Sequence, residues 1–229
     1  MSFIQDETEM NFTFGITVSD FNKPLMDETI NSIHRQSVKI PQYQIVIIAE
    51  SGLYSKKDIT TKNIEYLESD ESCAVKKKNL IIECARHKNI VYIHDHLYFD
   101  RDWYKYFRWF GNDWDLCMNA ILNTNNKRYK DWVVRDHPNI DPETRQIVKR
   151  GGGSTLMPYD YDGKYMHIPE KYFVVKKHVM EKEPYSTEWS PKVVDKYKYV
   201  MNEYSKVRLL NFRSLDDSWF HVLNKKKKW

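Results

Sequence analysis

Three polar side chains that can hold a metal ion, His94, Asp95 and His96, directly follow the apolar run 90–93. An apolar run of this length that ends at a polar segment is typical of a buried strand in a parallel sheet. In open α/β sheets ligands bind beyond the carboxyl ends of the strands, so the triplet lies where a site is usually formed. Imidazole and carboxylate groups this close in sequence can chelate a divalent ion that also carries phosphate oxygens. The alternative interpretation is an ordinary solvated loop.

Two earlier strand-like runs, 12–18 and 44–49, also lead into polar residues. With a helix predicted between them, over 28–35, they form a βαβ unit whose two strands are parallel. The carboxyl ends of parallel strands meet at one edge of a sheet, so three polar ends together predict a ligand-binding cleft. The polar residues concerned are Thr17, Ser19 and Asp20 at the first end and Glu50 and Ser51 at the second.

A basic cluster, Lys76-Lys77-Lys78-Asn79, lies at the start of a helix predicted over 77–87. Backbone N–H groups and the helix dipole favour anions at such a position. Alone, the cluster is better interpreted as an exposed basic helix terminus, but beside the triplet it favours a phosphate-binding role. The sequence has no Walker A loop and no G-x-G-x-x-G motif, which argues against an ATPase or a dinucleotide-binding enzyme.

The remaining elements extend this α/β pattern towards the end of the chain. The stretch 136–149 is expected to be a loop, and Gly151–Gly153 is either a plain connector or a mobile lid over the site. Apolar spacing predicts further helices over 102–110 and 193–202 and further strands over 63–67, 117–122, 173–177 and 208–213.

Composition excludes several classes of protein. The net charge is +4, from 36 basic and 32 acidic residues, without the basic stripe of a nucleic-acid-binding protein. The block Lys225–Lys228 is expected to be a solvated tail that makes at most a weak contact with a membrane surface. Three cysteines without C-x-x-C spacing, no secretory signal and no apolar run of about 20 residues predict a soluble, cytoplasmic protein.

The segments 14–20, 45–52, 77–79 and 91–96 together resemble GT-A-fold glycosyltransferases, most closely the family 2-like enzymes of phages and large DNA viruses. The resemblance implies a single α/β domain in which helices flank a mixed, mainly parallel, Rossmann-like sheet. If the source is viral, the expected location is the host cytoplasm. The implied division is a flexible N-terminus (1–10), a nucleotide-sugar-binding half (11–135), an acceptor-side half (136–223) and a basic tail (224–229).

The resemblance implies transfer of a sugar from a nucleotide diphosphate sugar, most naturally a UDP-sugar, to a hydroxyl of a glycan or other acceptor. Asp95 and His96 would hold the ion, and His167 would contact the diphosphate or complete the metal shell. Because imidazole suits Mn²⁺ better than Mg²⁺, manganese is the favoured ion, with magnesium as the alternative. The residues that the resemblance places around the donor are Thr17, Ser19, Asp20, Glu50, Ser51, Asp70, Lys78, Asn79, His94 and Asp95.

The general base is not where the resemblance predicts it. Related enzymes carry a Glu-Asp pair shortly before a Glu-Trp-Ser sequence, and here Glu188-Trp189-Ser190 follows Tyr185-Ser186-Thr187 instead. The reaction is therefore either inverting with a relocated base or retaining without a dedicated one; the third alternative is that transfer activity has been lost. The carboxylates that could act are Glu181, Glu183, Glu188 and Asp195, with Asp131 as a further catalytic candidate.

Two tryptophans, Trp132 and Trp189, are the predicted acceptor-side aromatic residues. For Trp132 the alternative is core packing, and for Asp131 it is a turn cap. Two other functions stay open: a nucleotidyltransferase on the same fold, and a non-catalytic module that binds nucleotides or glycans. The residues 19–24 lack the Gly-rich basic signature that a nucleotidyltransferase prefers.

Overall fold

The structure is a computed structural model. It describes residues 9–18, 23–50, 64–69, 74–135, 139–140, 147–149, 154–162, 166–186 and 189–210. Several sequence predictions lie outside these residues, namely those for Ser19, Asp20, Ser51, Asp70, Glu188, the Gly151–Gly153 loop and the Lys225–Lys228 tail.

Helices and strands alternate through the first half of the chain, as the sequence predicts. The helices are α1 (Lys23–His34), α2 (Ala74–Cys84), α3 (Trp103–Phe110), α4 (Lys177–Lys182) and α5 (Trp189–Val194). The strands are β1 (Phe12–Thr17), β2 (Tyr43–Glu50), β3 (Ile64–Ser69), β4 (Asn89–His94), β5 (Leu97–Phe99), β6 (Leu116–Leu122), β7 (Val133–Arg135), β8 (Asn139–Ile140), β9 (Ile147–Lys149), β10 (Ser154–Leu156), β11 (Met166–His167), β12 (Tyr172–Lys176) and β13 (Tyr199–Leu209). Among the described residues, no helix combines the length and the apolar character needed to cross a bilayer.

Eight of the described strands form one sheet, in the order β3-β2-β1-β4-β12-β6-β13-β5. The strands β1 to β4 are mutually parallel, because β1 pairs with β2 and β4 and β2 pairs with β3. β12 then runs antiparallel between β4 and β6, β13 is parallel to β6, and β5 is antiparallel to β13. The predicted mixed, mainly parallel sheet with flanking helices is therefore confirmed.

The core lies between this sheet and its helices, and aromatic side chains fill much of it. Trp103 and Phe107 of α3 pack with ring centroids 5.3 and 5.5 Å from Phe12. The Trp103 indole N–H donates to Asn119 Oδ1 at 3.0 Å, so the polar edge of the ring is also satisfied. The aromatic stripe of α3 is thus a core-packing feature.

The sequence prediction for the region 193–202 is wrong. The helix α5 ends at Val194, and a long strand, β13, begins at Tyr199 and pairs in parallel with β6. The apolar residues 199–201 fit helical spacing as well as a strand, and pairing with the edge of β6 decides between the two. The stretch 136–149 is also not purely a loop, because β8 and β9 pair there in antiparallel fashion.

Gly15 allows the helix α2 to lie directly on β1. A Cβ atom built on Gly15 would be 2.4 Å from Cγ2 and 2.8 Å from Cδ1 of Ile81, which is far inside van der Waals contact. The close approach of α2 to the sheet therefore depends on the missing side chain.

We expect Gly15→Ala to lower the free energy of unfolding by about 1–3 kcal/mol, because the added methyl overpacks the contact with Ile81. Urea unfolding measures the effect. The double variant Gly15→Ala/Ile81→Ala should be less destabilised than the sum of the two single variants, since truncating Ile81 makes room for the methyl. Strictly additive effects would show that this contact does not limit the packing of α2.

Candidate metal and anion site

The triplet His94-Asp95-His96 occupies the tight turn between β4 and β5. His94 is the last residue of β4 and lies opposite Thr17, the last residue of β1. The turn brings the three side chains together, since one ligand atom of each lies within 4.8 Å of the others. The two imidazole rings have centroids 5.5 Å apart. The predicted position of the triplet at the carboxyl edge of the parallel strands is therefore what the structure shows.

Two ring nitrogens of the triplet are buried without a hydrogen-bond partner: Nδ1 of His94 and Nε2 of His96. The other ring nitrogen of His96, Nδ1, lies 3.3 Å from Oδ1 of Asp95. Asp95 and His96 are only 4% and 5% exposed. Buried polar atoms without partners are rare in folded proteins. A divalent ion would satisfy these nitrogens and the carboxylate together, so the residues present fit a metal ion.

The imidazole of His94 is neutral at physiological pH. Burial, then the neighbouring His96, Lys78, Lys171 and Lys77, hold the pKa of His94 well below its usual value. A neutral imidazole keeps a lone pair for a metal ion, whereas an imidazolium does not. The same interactions show that three lysines surround the triplet, so its surroundings attract anions.

Two of these lysines come from α2, and both are almost fully buried. The Lys77 ammonium lies 3.1 Å from Oε1 of Glu50, the last residue of β2, and 3.4 Å from the Val18 carbonyl oxygen. The ends of β1 and β2 are thereby tied to the start of α2. The start of α2 therefore meets the ends of β1 and β2 at one edge of the sheet.

Lys78 has a phenol as its hydrogen-bond partner instead of a carboxylate. Its Nζ donates to Tyr185 Oη at 2.9 Å and lies 4.0 Å from the centroid of the same ring. Burial lowers the pKa of Lys78 to about 8, and the negative charge of Glu170 partly opposes that shift. A buried ammonium with so little negative charge around it is a ready counter-charge for a phosphate group.

Asn79 joins the two halves of the chain. Its side-chain amide donates to the Tyr185 carbonyl oxygen at 3.2 Å, and its Oδ1 accepts from the Tyr185 N–H at 2.9 Å. This amide pair holds the segment before Trp189 against α2. Asn79 therefore fixes the position of Tyr185, which in turn holds Lys78.

Asp131 is fully buried, and its carboxylate is occupied on both oxygens. A substrate hydroxyl cannot reach the carboxylate in this arrangement, because none of its surface is exposed. Its hydrogen bonds from neighbouring backbone N–H groups match the turn-cap alternative. The donors to Asp131 are the backbone N–H groups of Ile121 (3.1 Å) and Trp132 (2.7 Å), the Arg128 guanidinium (2.8 Å) and the Tyr159 hydroxyl (2.8 Å).

The two predicted acceptor-side tryptophans are also buried, at 3% exposure for Trp132 and 1% for Trp189. The Trp132 indole N–H donates to the Tyr161 carbonyl oxygen at 2.9 Å, and its ring packs on Tyr199. Trp189 donates to the Glu183 carbonyl oxygen at 2.8 Å. Neither ring offers a face on which a sugar could stack, so both serve core packing in this structure.

Two other predicted residues, Asp195 and His167, do not belong to the cluster that the triplet forms. Asp195 is exposed in the turn after α5. His167 is half-buried in β11, which pairs with β7 in a small separate sheet. Within the described residues, the cluster of candidate metal ligands consists of the triplet and does not include His167. Its role as a metal ligand stays a prediction.

Lys171 and Tyr185 were not predicted from the sequence. Lys171 precedes β12, and its carbonyl oxygen accepts the backbone N–H of His94 at 3.1 Å. Because β12 is antiparallel to β4, its amino end lies at the same edge as the carboxyl ends of the parallel strands. The sequence does show a lysine immediately before an apolar strand. It does not show that this strand is antiparallel to β4, which is what brings Lys171 to the site.

No family model and no curated protein matches the chain. Solved structures match it in three dimensions. S. aureus TarS 1–349 in complex with UDP-GlcNAc superposes with a TM-score of 0.57 and 11% identity, over 87% of this chain and 58% of that one. A mannosyltransferase from Pyrobaculum calidifontis in complex with GDP-Man and Mn²⁺ superposes with a TM-score of 0.57 and 10% identity, over 94% of this chain and 60% of that one. GalNAc-T7 with UDP, GalNAc and Mn²⁺ superposes with a TM-score of 0.58 and 10% identity, over 89% of this chain and 44% of that one.

The chain has a GT-A fold. At identities of 10–11% the likeness shows the fold alone. The chain also spans less than two thirds of the length of each of these proteins, 44–60%. Within the GT-A fold, ligands are expected at the carboxyl edge of the parallel strands, which is where the triplet and the lysines lie.

We expect the free energy of unfolding to rise with pH between about 8 and 10.5 because of Lys78. The folded chain releases the Lys78 proton near pH 8 and the unfolded chain near 10.5, so the unfolded state binds more protons in this window. One such group contributes a slope of at most about 1.4 kcal/mol per pH unit. Urea unfolding at several pH values measures the slope.

The variant Lys78→Met should have a smaller slope than the wild type, while Lys105→Met, which removes an exposed lysine, should not change it. The slope will not vanish, because burial also lowers the pKa of Lys176 to about 8. An unchanged slope in Lys78→Met would show that Lys78 keeps an ordinary pKa.

Proposed function

We propose that the chain is a metal-dependent glycosyltransferase. It transfers a sugar from a nucleotide diphosphate sugar, with a UDP-sugar as the expected donor, to a hydroxyl of a glycan or other acceptor. The observation that carries the proposal is the meeting of the triplet with Lys77 and Lys78 at the ligand-binding edge of a GT-A sheet. The fold likeness supports it, because the superposed proteins include complexes with UDP-GlcNAc, with GDP-Man and Mn²⁺, and with UDP, GalNAc and Mn²⁺.

Asp95 and His96 would hold the ion, and Mn²⁺ is favoured over Mg²⁺ because an imidazole is among the ligands. Such an ion supplies a Lewis acid that neutralises charge on the departing diphosphate. Lys78 adds a buried positive charge near the triplet, so it stabilises the same negative charge as the bond between the sugar and the diphosphate breaks. Lys77 is tied to Glu50 and mainly fixes the ends of β1 and β2.

The nucleoside pocket is proposed to lie at the ends of β1 and β2. Thr17 and Glu50 are the described residues there, and Thr17 lies opposite His94. Asn79 positions Tyr185 and, through it, Lys78. The remaining proposed contacts come from Ser19, Asp20, Ser51 and Asp70, by their place in the sequence alone.

Glu188 is the proposed general base if the reaction is inverting. Its rivals are less suited. Asp131 has both carboxylate oxygens engaged. Glu183 is paired with Lys192 and Lys196, and Glu181 and Asp195 are exposed. Glu188 follows Tyr185 by three residues and directly precedes Trp189, which packs on Tyr185. Tyr185 in turn contacts Lys78, which is the residue proposed to face the diphosphate.

We expect nucleotide diphosphate sugars to stabilise the protein against heat only when Mn²⁺ is present. At a donor concentration about 100 times its Kd, the unfolding temperature should rise by roughly 5–10 °C. A thermal-shift panel of nucleotide sugars, with and without Mn²⁺, measures this and identifies the donor.

Asp95→Asn should lose the Mn²⁺-dependent shift and keep the unfolding temperature of the ligand-free protein. Asp113→Asn, a change at an exposed carboxylate, is the matched control and should keep the shift. If no nucleotide sugar stabilises the wild type with Mn²⁺, the proposed function is wrong. Stabilisation without any hydrolysis or transfer of the sugar would instead identify a non-catalytic binding module.

We expect Glu188→Gln to lower kcat about 100-fold or more with little change in donor KM, because a general base contributes roughly 10²–10⁴-fold to the rate. Steady-state transfer assays at saturating donor measure this. The matched control, Asp195→Asn, should retain wild-type turnover. Full activity in Glu188→Gln would remove Glu188 as the base and favour a retaining reaction.

A further inference from the structure

We infer that His94 is a third protein ligand of the ion, so that the triplet is a site of two imidazoles and one carboxylate that binds a transition-metal ion before any nucleotide arrives. The inference rests on the proposed function only in placing an ion at the triplet. It goes further in two respects: His94 serves the metal and not the nucleotide, and the ion is resident.

The first argument is the state of the ring nitrogens. Nδ1 of His94 and Nε2 of His96 are both buried and both lack a partner. An unpartnered nitrogen on His96 alone would fit a two-ligand site formed with Asp95. The second one, on His94, requires its own explanation, and an ion shared by the two rings satisfies both at once.

The second argument is distance. The ligand atoms of all three residues lie within 4.8 Å of one another. Ligands at about 2.0–2.2 Å from an ion lie up to about 4 Å apart, so small side-chain rotations close the site. The ring centroids lie 5.5 Å apart, so the two rings are close enough for one ion to contact both.

The third argument is the backbone that carries the ligands. The His94 N–H donates to the Lys171 carbonyl oxygen at 3.1 Å, and the His96 carbonyl oxygen accepts the Leu210 N–H at 2.9 Å. The carbonyl oxygen of Asp95 accepts the Thr29 hydroxyl at 3.2 Å. The backbone of each of the three residues is thus held by a different part of the chain, so only the side chains need to adjust when the ion binds.

Three ligands of this kind affect which ion binds and whether the ion stays bound when no nucleotide is present. Two imidazoles favour Mn²⁺, Co²⁺ or Zn²⁺ over Mg²⁺, which prefers oxygen ligands and keeps its waters. A site with one imidazole and one carboxylate needs the donor's diphosphate to complete the ion's ligands. A site with three protein ligands holds the ion alone, and the ion remains when the nucleotide leaves.

The test is metal binding by the whole chain in the absence of nucleotide. Metal-free protein is titrated with MnCl₂, ZnCl₂ or MgCl₂ in a calorimeter, and the Mn²⁺ form is examined by pulsed electron paramagnetic resonance. We expect Mn²⁺ and Zn²⁺ to bind without nucleotide, Mg²⁺ to bind at least ~10-fold more weakly, and two imidazole nitrogens to couple to the Mn²⁺ spin.

His94→Gln should weaken Mn²⁺ binding by at least ~10-fold and leave one coupled imidazole, since even the outer partners of metal ligands are worth 10–100-fold in affinity. His178→Gln, at an exposed histidine on α4, is the matched control and should bind like the wild type. The unfolding temperature without metal shows whether His94→Gln folds, and the wild-type spectrum tests the inference without any variant.

The inference is overturned if Mn²⁺ binds only with UDP present, if the wild type shows a single coupled imidazole, or if folded His94→Gln binds Mn²⁺ like the wild type. In each of these cases Mn²⁺-dependent stabilisation by a nucleotide sugar would persist, and the proposed function would stand. Loss of that stabilisation in the wild type would instead remove the proposed function.

Discussion

The candidate site depends on the position of β4 between a parallel and an antiparallel neighbour. β1 runs beside it in the same direction, so Thr17 lies opposite His94 at their common carboxyl end. β12 runs the other way, so its amino end meets the same point, and the Lys171 carbonyl oxygen accepts the His94 N–H. Because β12 runs opposite to β4, residues from the second half of the chain lie at the same edge as the strand ends of the first half.

The electrostatics of the site follow from that meeting of elements. Three lysines surround His94, while Asp95 is the single carboxylate of the triplet. Burying Lys78 against the Tyr185 phenol costs free energy, which the lowered pKa of Lys78 reflects. A divalent ion with a diphosphate offers a charge-balanced partner, since the ion satisfies the imidazoles and the phosphates satisfy the ammonium groups. Binding of such a ligand is therefore expected to stabilise the folded chain.

Much of the first half of the chain could be predicted from the sequence, because its parallel strands are largely buried. β1, β2 and β4 are mostly apolar and lead into polar residues, and that pattern favours a parallel sheet with a ligand-binding edge. The same pattern predicts that the triplet and the basic start of α2 lie at that edge. The GT-A fold implied by the resemblance is confirmed.

The second half was less predictable because its structure is decided by pairing rather than by local pattern. Residues 199–201 fit a helix and a strand equally well, and only the neighbouring β6 makes them part of β13. The roles of Asp131 and Trp132 depend on distant groups: Tyr159 reaches Asp131 from 28 residues away, and Tyr199 covers the Trp132 ring. The residue types of Asp131 and Trp132 suggested functional roles, whereas in the structure both side chains are buried and engaged by other parts of the chain.

The most direct test of the central claim is a crystal structure of the chain with Mn²⁺ and UDP, with diffraction data collected at the manganese absorption edge. The account predicts one anomalous peak in contact with Asp95 and His96 and a diphosphate between that peak and Lys78. A manganese peak elsewhere, or a diphosphate bound away from the edge where β1 and β4 end, would contradict it.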